Sequence, residues 1–193
     1  MSVGLRPLAL ADADQVLAWR NSPAVAPYMY SEGQISPDTH AAFMQAALHL
    51  PDRAYWVILW QGEAVGLANL ARIDLACRKC DWAYYLADPR TRGQGVGQAV
   101  EFAVLDHVFH ALKLNKLWCE VFLDNEAVWR LHERFGFVRE ALFRAHVIKD
   151  GTPRDVVGLG LLAADWPQAR ADALARFAEK GLKPARLVAP KAR

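Results

Sequence analysis

Gly93, Gly95 and Gly97 alternate directly behind Arg92, between an aromatic strand pattern (CDWAYYLAD) and a long apolar helix pattern (QAVEFAVLDHVFHALK). No other feature constrains the fold as strongly. Glycines let backbone N–H groups approach an anion closely, and the N-terminus of a helix adds a favourable dipole. A strand, a glycine loop and a helix in that order therefore predict an anion cradle inside an α/β domain. Two familiar nucleotide loops do not fit. A G-x-G-x-x-G pattern begun at Gly93 would end on Gln98, and the Gly-Lys-Ser/Thr of a P-loop is missing. The plain alternative is a tight strand-to-helix turn.

The rest of the chain supplies partners for that junction. VGLRPLAL reads as a strand and ADADQVLAWRN as a helix. SPAVAPYMYSEGQ reads as a loop. SPDTHAAFMQAALHL is a second helix, with Ser36 as N-cap and Pro37 in the first turn. AYWVILW, AVGLANLARI and CDWAYYLAD form a meander of strands. After the glycine helix come strand KLWCEVF, helix NEAVWRLHERF closed at Gly136, and a hairpin turned at Asp150-Gly151. This order predicts one α/β domain over residues 1–166 with a mixed, largely antiparallel sheet flanked by helices. Residues 167–193 are expected to add one helix (PQARADALARFAEKG) and a basic, disordered tail that activity does not need.

Composition narrows the partners. A net charge of +2 is too weak to argue for nucleic acid, yet it suits a small polyanionic ligand. No stretch is apolar for long enough to span a membrane, and MSVGLRPLAL has neither the apolar core nor the basic flank of a secretory leader. The expected compartment is the cytoplasm. Cys77 and Cys80 have CxxC spacing, but no second pair completes a zinc site, so Cys77, Cys80 and Cys119 read as reduced thiols and no metal is expected.

Arg92, Gly95 and Gly97 spell R-x-x-G-x-G, preceded by Asp88-Pro89. A second signature runs from Asn125-Glu126-Ala127 through His132-Glu133 to Gly136-Phe137. Together they resemble the GNAT superfamily of N-acetyltransferases, and the resemblance covers Leu5 to about Trp166. A narrower likeness lies in WRNSPAVAPYMY, NEAVWRLHERFGFVREA and HVIKDGTPRDVV. These are similar to the acetyltransferases of pseudaminic acid biosynthesis, which acetylate the 4-amino group of UDP-4-amino-4,6-dideoxy-N-acetyl-β-L-altrosamine. The resemblance implies acetyl-coenzyme A as acetyl donor, a UDP-linked amino sugar as acceptor, and direct attack of the amine on the thioester; one assembly open to such a chain is a homodimer. It implies that Arg92, Gly93, Gln94, Gly95, Val96, Gly97 and Gln98 hold the pyrophosphate. Backbone N–H groups near Tyr85, Leu86 and Ala87 would face the thioester, and Asn125 and Arg130 would touch the coenzyme.

One position departs from the superfamily pattern. Its usual tyrosine, seven residues after the motif asparagine, is His132 here. Histidine can still donate a proton to the leaving thiolate. Glu120 ends the strand beside the acetyl site and is the expected base, with Asp81 as a weaker candidate. Arg20, Asn21, Tyr28, Met29 and Tyr30 are the expected acceptor residues, able to pair with phosphate or cover a base or a deoxysugar edge. The alternatives are a ribosomal-protein N-terminal alanine or polyamine acetyltransferase, and a coenzyme-A-binding module without chemistry.

Overall fold

A computed structural model describes residues 2–189. Eight strands form one sheet: β1 (Val3–Pro7), β2 (Ala54–Trp60), β3 (Glu63–Asp74), β4 (Lys79–Leu86), β5 (Lys116–Phe122), β6 (Val138–Lys149), β7 (Thr152–Leu162) and β8 (Arg186–Leu187). Their spatial order is β6-β7-β5-β4-β3-β2-β1-β8. Only the β4–β5 and β1–β8 pairs are parallel, so the sheet is mixed and largely antiparallel. No helix among the described residues is long and apolar enough to cross a membrane.

The helices cover both faces. Helices α1 (Ala13–Arg20) and α2 (Pro37–His49) lie on one, where Val16, Met44 and Ala47 pack on Val57 and Leu67. Ser36 caps α2 as expected, its hydroxyl accepting from Thr39 N at 3.2 Å. The other face carries α3 (Val96–Asp106), which ends in a π-helical turn (His107–Ala111), with α4 (Glu126–Arg134) and α5 (Trp166–Glu179). Val96, Val100, Phe102 and Leu105 of α3 join Trp129, Trp166 and Phe177 in the larger core, because α3 is apolar nearly all round and is buried nearly all round.

The segment after α5 differs from the expected disorder. Leu187 and its neighbours pair with β1, Ala185 N donates to Ala99 O (3.2 Å), and Trp56 Nε1 donates to Val188 O (2.9 Å). The open edge of β1 and the indole N–H of the fully buried Trp56 both require such partners. The last expected tail residues, 190–193, lie outside the described residues.

Candidate active site

The site begins where two parallel strands part. β4 and β5 pair over Lys79–Asp81 and Lys116–Trp118, then diverge. A cleft of about 730 Å³ opens between their far halves. Arg78 O accepts from Lys116 N (3.1 Å) at one end of β4, and Ala87 N donates to Val65 O (2.8 Å) at the other. Backbone alternation between these two fixed points turns the even-numbered residues toward β5 and the odd-numbered toward β3. Trp82, Tyr84 and Leu86 thus aim their amides into the gap that β5 has left. This corrects the sequence expectation for Tyr85 and Ala87, whose amides turn to β3; of the three expected donors, only Leu86 directs its amide into the gap.

The segment leading into the glycine loop forms the rim: Asp88, Pro89, Thr91 and Arg92 line the cleft, and Gly93 to Gln98 lie beyond its lining. The Asp88 carboxylate accepts from Arg90 N (2.8 Å), and Thr91 Oγ1 donates to Asp88 O (2.6 Å), starting a 3-10 turn over Pro89–Thr91. Gln94 N closes the next turn on Thr91 O (3.2 Å), so that amide is already used, contrary to its expected place at a phosphate. Gly95 is the N-cap of α3 with φ +74°, a left-handed conformation that side chains resist. Val96, Gly97 and Gln98 follow as the first helical residues, whose N–H groups have no acceptor within a helix. Arg92 lines the cleft and makes no ion pair among the described residues. A free guanidinium beside a helix N-terminus suits a diphosphate.

At the other end lies Glu120. Its carboxylate accepts from Tyr30 Oη (2.9 Å) and Trp118 Nε1 (3.4 Å), both neutral donors. The phenol of Tyr30 is held protonated, pushed up by burial and then by this carboxylate. Tyr28, Met29 and Tyr30 all line the cleft, and Tyr30 leans on Phe122 at 5.3 Å. Lys149, buried at the end of β6, holds their loop by donating to Ala26 O (3.1 Å) and Ser31 O (2.5 Å). Asp81 also lines the cleft, paired with Arg72.

Two expected acceptor residues serve elsewhere. Asn21 bonds both backbone groups of Ile35, at 2.8 and 3.0 Å, and so ties the loop to the start of α2. Arg20 stacks on Phe43 at 4.4 Å, behind the cleft wall rather than in it. Both sit at the end of α1, whose direction sequence patterning did not reveal.

His132 lines the cleft from α4, only 3% exposed. Trp82 and Phe137 enclose its ring at 5.2 and 5.3 Å. Its Nδ1 lies 2.8 Å from Oε1 of Glu101, a fully buried residue of α3. Sequence reading missed Glu101; the signal was a lone carboxylate inside AVEFAVL, where an apolar residue belongs. Asn125 stands at the N-cap of α4 but makes no side-chain capping bond there, and it lines the cleft. Arg130 is paired with Glu126 (2.5 Å) and stacked on Trp129, outside the cleft, so its expected contact with coenzyme is not supported. Cys119 lines the cleft as well; burial pushes its thiol well up, with the Glu101 charge adding to this.

Comparison with known proteins agrees with this geometry. Residues 2–138 match the pattern of the acetyltransferase (GNAT) domain family. A Bacillus subtilis protein, YdaF, whose name provisionally assigns it to ribosomal N-acetylation, is 28% identical over 56% of this chain; the match spans 59% of that protein. Acetyltransferase PseH of Campylobacter jejuni is 23% identical over 65% of this chain and 76% of its own. Among solved structures, the spermidine N-acetyltransferase of Vibrio cholerae in complex with CoA and spermine superposes with a TM-score of 0.79, at 23% identity, over 86% of this chain and 98% of the other.

Proposed function

This chain belongs to the GNAT acetyltransferase family, and from that premise we propose that it transfers acetyl from acetyl-coenzyme A to the 4-amino group of a UDP-linked 4-amino-4,6-dideoxy sugar. The coenzyme fits the residues present. Arg92 and the amides at the start of α3 match a diphosphate, and Asn125 lines the same cleft as Arg92 and Glu120. When bound, acetyl-coenzyme A supplies an acetyl thioester that an amine can attack. Leu86 N–H, turned into the gap, is the donor available for negative charge developing on the acyl oxygen. Glu120 accepts the proton that the amine releases, directly or through water. His132 donates one to the departing sulfur. Burial keeps the Cys119 thiol protonated, which disfavours an acetyl-cysteine intermediate and supports direct attack.

One observation carries the choice of acceptor. Among the described residues three carboxylates line the cleft, and two are matched by guanidinium groups: Asp81 by Arg72 and Asp88 by Arg90. Glu120 alone has only neutral partners. One unmatched carboxylate suits one ammonium group. A polyamine carries several, spaced along a chain, and would leave the others without a counterion. The aromatic wall of Tyr28, Tyr30 and Trp118 supports a ring or base in contact with it. PseH, one of the relatives, is consistent with this acceptor class.

The test is a free-thiol assay with acetyl-coenzyme A and four acceptors: the UDP-4-amino sugar, its dTDP counterpart, spermidine, and a peptide with N-terminal alanine. Selective turnover of the UDP sugar is expected. Turnover of spermidine or the peptide alone would keep acetyl transfer and remove the sugar assignment.

A further inference from the structure

Glu101 is an ionisable side chain with no ordinary reason for its place. It occupies the middle of α3 between Val100 and Phe102 at 0% exposure. A carboxylate there carries a heavy desolvation cost unless another group compensates it. Its Oε1 has one partner, His132 Nδ1 at 2.8 Å, and its Oε2 has none. The same argument holds from the other side. A cationic imidazole 3% exposed, boxed by Trp82 and Phe137, needs an anion beside it. Each group makes the other's burial tolerable, where α3 packs behind the cleft-lining His132 of α4.

We infer that Glu101 is the positioning residue for proton delivery: it holds Nδ1–H of His132, which leaves Nε2 as the ring nitrogen available to the cleft and to the leaving sulfur. The inference rests on the acetyl-transfer reading above. The balance is simple. The amine lone pair forms the C–N bond, and the C–S bond breaks with its electron pair on sulfur. Sulfur takes the proton from Nε2, while the amine nitrogen releases one to Glu120 or to water. His132 is left neutral, with Nδ1–H still directed at Glu101, and water restores the Nε2 proton. A carboxylate behind a histidine both selects the tautomer and stabilises the imidazolium. The other titratable groups facing the pair are Tyr84 of β4 and Cys119 of β5. Both are pushed up chiefly by burial and remain neutral, so neither competes for the proton.

Histidine 15N resonances of the full chain test the pair without substrate. Neutral His132 is expected as the Nδ1–H tautomer; an Nε2–H tautomer overturns the inference, and no variant is needed to see it. In Glu101→Gln, the maximal rate is expected to fall about 10- to 100-fold, with the acetyl-coenzyme A KM within about twofold. A folded Glu101→Gln with the wild-type maximal rate would overturn it as well. The two readings fail separately: a wild-type chain that acetylates no amine removes the reaction, whereas the tautomer decides on the pair.

Discussion

Tyr30 donates its phenolic hydrogen to Glu120 at 2.9 Å, joining the loop after α1 to the end of β5. Among the described residues the bond fixes the only cleft carboxylate without a cationic partner, so it controls where an acceptor amine can sit. Tyr30→Phe keeps the ring on Phe122 and removes the hydrogen bond. A partly exposed bond of this kind contributes about 1 kcal/mol, so kcat/KM for the amine should fall about fivefold. The KM for acetyl-coenzyme A should not move. Glu120→Gln should lower kcat/KM for the amine further, by about 100-fold, if the carboxylate accepts the proton. Equal rates for Glu120→Gln and the wild type would take Glu120 out of the reaction.

Cys119 is the only cysteine in the cleft, and its thiol is held protonated by burial. Direct transfer therefore predicts that Cys119→Ala retains its rate within about threefold, and that mixing enzyme with acetyl-coenzyme A alone leaves no acetylated protein. Intact-mass spectrometry reads the second point. A persistent acetyl adduct on Cys119 would replace direct attack with a two-step mechanism.

Gly66 stands opposite the segment that opens the cleft. A Cβ there would lie 2.1 Å from Tyr85 O, a backbone atom that cannot swing aside. The β2–β3 register also shifts beside it, between Ile58 and Leu59, so a local irregularity meets the point where β4 presents Leu86 to the gap. Gly66→Ala should cost about 1–3 kcal/mol in denaturant unfolding, as for other overpacked sites. It should also lower kcat by displacing Leu86 N–H. Wild-type stability and rate together would mean that β4 shifts without consequence.

Much of this was legible in the sequence, and the gaps have physical causes. The periodicity of WAYYL and QAVEFAVL marked the strand and helix, and the alternating glycines marked the loop between them. Which amide of Tyr85, Leu86 and Ala87 faces the gap depends on pairing with β3 and β5, which local pattern does not contain. Arg20 and Asn21 adjoin Tyr28 and Tyr30 in the stretch WRNSPAVAPYMY, which makes them candidates for the acceptor from sequence. Stacking on Phe43 and bonds to Ile35 decide otherwise, and both are tertiary contacts. Glu101 was hidden for the opposite reason: its helix is apolar nearly all round, and its partner His132 lies 31 residues away.

The segment after Lys183 separates stability from catalysis. None of its described residues, 184–189, lines the cleft, yet Val188 N donates to Leu5 O (2.9 Å) and Val188 O accepts the indole N–H of Trp56. Truncation after Lys183 removes β8 from the edge of β1 and leaves that buried N–H without an acceptor, a loss of about 1–3 kcal/mol. For a chain of this size each kcal/mol corresponds to roughly 2–4 °C in Tm, so a fall of several degrees is expected. Leu182 remains in the truncated chain, where it packs against the left-handed Gly95 at the N-cap of α3. The rate at 25 °C and the KM for acetyl-coenzyme A should therefore stay close to wild type. A raised KM with unchanged Tm would reverse the assignment and make the tail part of the coenzyme site.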